Sequence, residues 1–186
     1  MEIKIHRGLE QIGGCITEIS TATSRVFIDL GQNLPGNGVE QTPEQDKLMV
    51  ENLFKSNKKK NEGVFYTHGH EDHIGLLEYV PMDVPQFMST GTKELILIKY
   101  RTLKEGNELN LEQIGKEDYS QKELIEKTIN QNINIANKIE LISRVRTWSR
   151  TSPRKKPSSI IIGDITITPF FNCHSIYDSH MFLIEA

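Results

Sequence analysis

Thr67-His68-Gly69-His70-Glu71-Asp72-His73 gathers three of the chain's six histidines into six consecutive positions, with two carboxylates between them. A zinc ion takes neutral imidazole or carboxylate ligands at about 2.0–2.2 Å and keeps one position open where the site is catalytic. His68 and His70, two apart on an extended or turning backbone, point to one side and can pinch a single ion. Asp72 and His73 run on into the start of a helix and face a second position; two ions about 3.5–4 Å apart can share and acidify one hydroxide. The plain alternative is that the cluster caps a helix, but an N-cap needs one Asp, Ser or Thr and has no use for three imidazoles. Gly69 and Gly75 suit a crowded turn that must approach an ion.

Outward from this loop the chain reads as α/β. Gly63-Val64-Phe65-Tyr66 is a short apolar run, a buried strand that delivers the histidines at its C-terminal end, where open α/β layers place their chemistry. Upstream, Cys15 to Ile19 and Arg25 to Leu30 read as two strands joined by a small-residue turn. Gly31, Pro35, Gly36 and Gly38 mark a loop. Thr42-Pro43-Glu44-Gln45 then starts a helix, with Thr as N-cap, Pro at the first helical position and Gln completing a capping box. Its expected buried face is Leu48, Met49, Leu53 and Phe54.

Downstream, a helix is expected over Ile74 to Val80, a strand over Val84 to Ser89 and a helix over Lys93 to Leu103. From about 104 to 156 the chain is polar, with Ile125, Ile129, Ile133 and Ala136 at helical spacing, and reads as a helical insertion in a single domain spanning 1–186. Ile160 to Thr168 holds two β-branched runs around Gly163-Asp164, a hairpin signal, and Met181 to Ile184 is a last strand. His174 follows the Ile165 to Phe171 strand. A lone histidine there is ordinarily packed or solvated, but with His68 and His70 it completes a three-histidine set that leaves a fourth position for water.

His68-x-His70-x-Asp72-His73 resembles the signature of the metallo-β-lactamase superfamily. Ile12-Gly13-Gly14-Cys15 followed by Phe27-Ile28-Asp29-Leu30-Gly31 looks like that family's opening hairpin. His174-Ser175-Ile176-x-Asp178-Ser179 looks like the ligand segment of its ribonuclease J branch, with Tyr177 where that branch commonly has proline. The resemblance covers about residues 12–100 and 158–185. It implies an αββα sandwich, of which this chain is the N-terminal portion, and a dinuclear site, usually zinc. His68, His70 and His174 would hold one metal, and Asp72 and His73 would contribute to the second, with Asp72 also near the attacking water. Asp29 would brace the metal loop. Asp178 would either support a ligand imidazole or stabilise a turn. In the family a bridging aspartate and a further histidine follow the strand corresponding to Met181 to Ile184; this sequence reaches Ala186 first, so the expectation is the N-terminal portion of a longer hydrolase, ahead of a short variant that binds one metal or a chain that completes its site with another chain.

The resemblance implies a metal-dependent hydrolase that uses zinc-activated hydroxide on a phosphodiester of RNA or DNA, or on another ester. Two alternatives stand beside it: a metal-binding module without turnover, and a hydrolase of a small thioester or lactam. The substrate is chosen by surrounding loops and not by the metal ligands. One or two zinc ions are expected, and the same ligands accept manganese or iron.

Composition narrows the remaining classes. With 37% apolar and 25% charged residues, the chain is balanced as a soluble domain and has no run long enough to span a membrane. Met1 to His6 lacks the basic and apolar stretches of a secretory signal, so a cytoplasmic protein is expected. Cys15 and Cys173 are too few for a disulfide scaffold. A net charge of −3 argues against coating nucleic acid by bulk electrostatics, though not against a local basic patch. Arg144, Arg146, Arg150, Arg154, Lys155 and Lys156 around Trp148 form such a stretch. It reads as a solvated connector whose tryptophan packs on the core in preference to a base-stacking platform. Cys173 is expected in the core, facing away from His174, and His6 and His180 are expected at the surface.

Overall fold

The computed structural model describes residues 1–36, 41–114, 122–148 and 158–186. Two compact units emerge, one formed by Met1–Thr92 with Val145–Ala186 and the other by Lys93–Arg144.

In the first unit a six-stranded sheet has strands in sequence order: β1 (Glu2–Arg7), β2 (Ile16–Ser20), β3 (Ser24–Ile28), β4 (Asn61–Phe65), β5 (Gln86–Ser89) and β6 (Arg146–Trp148). β1, β2 and β3 are antiparallel neighbours, and β3 to β6 run parallel. A second, antiparallel sheet is made of β7 (Ile160–Ile162), β8 (Ile165–Phe171) and β9 (His180–Glu185). β7 and β8 are the expected hairpin around Gly163-Asp164.

The core lies between the sheets. Ile19, Val26, Phe65, Phe87 and Trp148 from the larger sheet meet Ile162, Ile165 and Ile167 from the smaller, with Phe182 packed against them. Phe65 stacks on Phe87 at 4.7 Å and meets Phe182 edge-on at 6.0 Å. Each such side chain, fully buried, contributes roughly 1.5–3 kcal/mol of transfer free energy. Trp148 is therefore a core residue, as expected, and Arg150, Arg154, Lys155 and Lys156 lie outside the described residues, as does Gly38.

Helix α1 (Pro43–Lys55) carries the complete capping box: Thr42 accepts from the Gln45 amide and Gln45 accepts from the Thr42 amide. Its buried face is Asp46, Val50, Leu53 and Phe54. Leu48 is 58% exposed, so the face is rotated from the one expected. Phe54 packs on Phe27 at 4.9 Å, and beside them Arg25 is buried, donating to Glu62 at 2.6 Å and to the Ser56 carbonyl at 2.8 Å. A charge so deeply desolvated persists because its donors are satisfied, and removing one partner of such a pair costs about 3–5 kcal/mol.

The segment after the histidine loop departs from expectation. Instead of one helix over Ile74 to Val80 there is a single turn, α2 (Glu71–Ile74), then a 3-10 turn at Leu77–Tyr79. Helix α3 (Thr90–Ile114) is longer at both ends than expected. Helix α4 (Lys122–Arg144) contains the expected apolar spacing, but Ile129 and Ile133 are exposed. β6 falls inside the range read as helical and pairs in parallel with β5.

Two glycines test this packing in opposite directions. A methyl group on Gly31 would overlap the Asp72 carbonyl, whereas one on Gly106, within α3, would meet nothing within 4 Å. Gly31→Ala is expected to lower unfolding free energy by about 3 kcal/mol, as overpacking does. Gly106→Ala is expected to raise it by roughly 0.5–1 kcal/mol. Denaturant titrations of both variants check the pair.

Candidate metal centre

β4 ends at Phe65, and the chain turns after Tyr66, at Thr67, into the histidine loop. Thr67 is held from both sides. Its amide donates to Asp29 Oδ1 at 2.7 Å, and its carbonyl accepts from the His180 amide at 2.9 Å. Its hydroxyl donates to Asp29 Oδ2 at 2.8 Å and lies 2.8 Å from His68 Nδ1. Because that hydroxyl proton goes to Asp29, the hydroxyl accepts from His68, which puts the imidazole proton on Nδ1 and leaves the Nε2 lone pair facing the site. Orientation of a ligand histidine by a partner on its other nitrogen is the usual arrangement in metal sites.

His68 Nε2 lies 3.1 Å from His70 Nδ1. His174 is brought to them by the loop between β8 and β9, which closes on itself through Asn172 N–H donating to the Ser179 carbonyl at 2.9 Å. Ligand atoms of His68, His70 and His174 all lie within 4.8 Å of one another. Nitrogens at the corners of a tetrahedron with bonds of about 2.0–2.1 Å stand about 3.3 Å apart. Three imidazoles at this spacing, one buried, one half-buried and one exposed, fit an ion with an open side toward solvent.

His73 and Asp72 form the neighbouring part of the loop. His73 Nδ1 is 2.7 Å from Asp29 Oδ2, and His73 Nε2 is 3.5 Å from Asp72 Oδ2. Burial opposes protonation of His73, but the hydrogen bond and charge of Asp29, with the charge of Asp72, outweigh it and raise its pKa. Burial pushes the Asp29 carboxyl upward against its donors His73 and Thr67. Two acceptors facing each other at 3.5 Å, the outer nitrogen of His73 and a carboxylate oxygen, attract either a proton or a cation.

The loop's own backbone is fastened by the segments that flank β2 and β3. Cys15, Leu30 and Gln32 amides donate to the carbonyls of Asp72, His73 and Glu71 at 3.1, 2.9 and 3.0 Å. Gly13 and Gly31 lie directly against Asp72, where side chains would collide with it.

The remaining residues singled out in the sequence fall elsewhere. Asp178 accepts from the Gly91 amide at 2.8 Å, while its own carbonyl accepts from the Ser89 and Thr92 hydroxyls. It thus secures the His174 loop to the start of α3. Cys173 is exposed, not in the core. His6 is half-buried and pairs with Glu18 at 2.7 Å. His180 is buried, with Nδ1 at 2.9 Å from the Asp178 carbonyl, so neither histidine is the surface residue expected. His180, His68, His73, His174, Ile28 and Phe182 line part of one cavity of about 370 Å³. The signal that singles out His180 is the alternation along β9, in which its ring shares the inward-facing positions of Phe182 and Ile184.

No family model matches the chain. Ribonuclease J of Helicobacter pylori strains 26695, B128 and J99 is 36% identical over 86 residues, which is 46% of this chain and 12% of those relatives' length. A crystal structure of a protein of unknown function from Enterococcus faecalis V583 aligns over 98% of this chain and 40% of its own, with a TM-score of 0.61 and 16% identity. A slighter likeness, TM-score 0.45 and 10% identity, is to the Cronobacter sakazakii metallo-beta-lactamase HARLDQ motif mutant S60, over 92% of this chain and 52% of that one. The chain is mixed α/β, and over the matched segment it resembles ribonuclease J. Among the described residues no helix is long and apolar enough to cross a membrane.

Burial and the neighbouring imidazoles His73, His70 and His174 lower the His68 pKa from 6.5 to about 3. An unfolded chain takes up this proton near 6.5 and the folded chain does not, so the stabilisation is complete above about 6.5 and is lost as pH falls toward 3. Urea midpoints of the chain in chelator, taken from pH 7 to pH 5, are expected to fall less steeply for His68→Gln than for the wild type; parallel slopes would exclude the effect.

Proposed function

We propose that this chain is the metal-binding segment of a metal-dependent hydrolase acting on a phosphodiester, in a single metallo-β-lactamase-like domain with a helical insertion. The observation that carries the reading is the convergence of His68 and His70 with His174, from segments far apart in the chain, to within 4.8 Å. His68, His70 and His174 would hold one ion, and Asp72 and His73 would contribute to a second. Zinc suits three neutral imidazoles best, and manganese or iron is accepted by the same donors. When bound, the metal supplies Lewis acidity and a nucleophile at neutral pH.

The chain's own residues do the rest. Thr67, held by Asp29, aims the His68 lone pair inward. Asp29 holds the His73 ring through Nδ1, which leaves the outer nitrogen toward Asp72. In this reading Asp72 orients the attacking water and accepts its proton. The cavity beside the histidines, polar at Thr67 and Asn172 and apolar at Ile28 and Phe182, receives a group attached to the reacting centre. Similarity to ribonuclease J favours nucleic acid over a small ester, thioester or lactam.

Elemental analysis of the purified chain is expected to find bound zinc, manganese or iron, with affinity reduced about 10-fold or more in His174→Ala. Hydrolysis of a generic phosphodiester should disappear on chelation and in His68→Ala. Metal bound tightly without turnover would leave the module without catalysis as the correct account, and no metal in either protein would remove the metal reading altogether.

A further inference from the structure

Arg7 closes β1 at a bulge, where the register to β2 shifts between Ile5 and Arg7. Its guanidinium is nearly buried, with 11% of the side chain exposed, and is held on one side by α1 and the segment before it. Nη1 donates to Asp46 at 3.0 Å and to Gln41 at 2.8 Å. On the other side it reaches two backbone carbonyls: Nε donates to Gly14 at 3.2 Å, and Nη2 donates to Gly31.

Those two carbonyls belong to the segments that grip Asp72. Cys15, next to Gly14, donates its amide to the Asp72 carbonyl at 3.1 Å, and the Gly31 amide donates to the Cys15 carbonyl at 3.0 Å. A side chain on Gly31 would strike the Asp72 carbonyl, and one on Gly13 would lie 2.9 Å from Asp72 Cβ. Gly14 has a positive φ of 66°, so its carbonyl direction depends on a conformation that few residues adopt. Each glycine gives the backbone freedom at the point where Asp72 must be placed, and the guanidinium removes that freedom. Asp46, itself buried, fixes the guanidinium by charge and hydrogen bond. A planar fork of donors suits this task, because one cation meets two carbonyls and a carboxylate in fixed directions.

We propose that Arg7 is a positioning residue for the Asp72 side of the metal centre, acting through the Gly14 and Gly31 carbonyls. The proposal rests on the functional reading above, and no sequence motif points to it. Loss of the fork would let Cys15 and Gly31 separate and the Asp72 corner drift, while His68, fixed from Asp29 through Thr67, keeps its place.

The test is amide hydrogen exchange in chelator, followed by zinc titration of the same proteins. In Arg7→Gln, exchange at Cys15, Gly31 and Gln32 is expected to rise about tenfold or more, with Val64 of β4 and Tyr66 just after it unchanged. Arg7→Lys, which keeps the charge beside Asp46 but cannot bridge both carbonyls, should lie between wild type and Arg7→Gln, and it decides the matter should the glutamine variant not fold. Exchange unchanged at all five amides, or raised equally at all five, would overturn the proposal. In the titration, affinity for the ion on the Asp72 and His73 side should fall about 10-fold in Arg7→Gln, with that for the three-histidine ion kept; unchanged affinity on the Asp72 side would also overturn it. A wild type that takes up no zinc would instead defeat the metal reading, and the exchange data would still decide whether Arg7 holds the corner.

Discussion

Asp29 is a buried carboxylate whose oxygens accept from the Thr67 amide, the Thr67 hydroxyl and the His73 ring. It follows directly on β3 and adopts a left-handed backbone, φ 60°, a conformation that Asp tolerates better than most residues. From that position one side chain ties the end of β3 to the end of β4 and to both sides of the histidine loop. Isolated, the charge would be costly so far from water; with three donors around it, the cost of leaving them unmatched becomes a force that holds the loop. The placement of the imidazoles follows from this arrangement and from the parallel pairing of β3 with β4 that brings its two ends together.

The third histidine arrives by a separate route that is anchored with equal care. Asp178, also left-handed at φ 59°, caps the amide of Gly91 and closes the loop that carries His174. Gly91 has no alternative, since a side chain there would lie 2.5 Å from the Asp178 carboxylate. The site is thus assembled from two loops, each tied through an aspartate to a neighbouring element, and the two meet where the Thr67 carbonyl accepts from the His180 amide.

Much of this is legible in the residues alone. The histidine spacing, the Thr42 capping box, the Gly163-Asp164 hairpin and the strand before Thr67 are local signals, and local signals survive into the structure. Where expectation and structure part, context decides. Leu48 and Met49 are apolar, but α1 turns inward the face of Val50, Leu53 and Phe54, on which Asp46 also meets Arg7. The helix expected after the histidines breaks at Gly75, whose neighbours Gln32 and the Glu71 carbonyl leave no room for a side chain. β1 carries Ile3 and Ile5 exposed at the sheet edge, and its charged residues hide a strand that is held mainly by its ladder to β2. The place of Arg7 is set largely by backbone carbonyls, which leave no trace in residue identity.

The carbonyls of Glu71, Asp72 and His73 are all received by main-chain amides. An amide is present whatever residue bears it, proline excepted, so these three hydrogen bonds outlast substitutions along the loop as long as Gly13 and Gly31 leave Asp72 its room. Such a corner can have its chemistry rewritten, one side chain at a time, without first being rebuilt. A lineage carrying it could exchange ligands and sample different metals or reactions while the scaffold stayed in register.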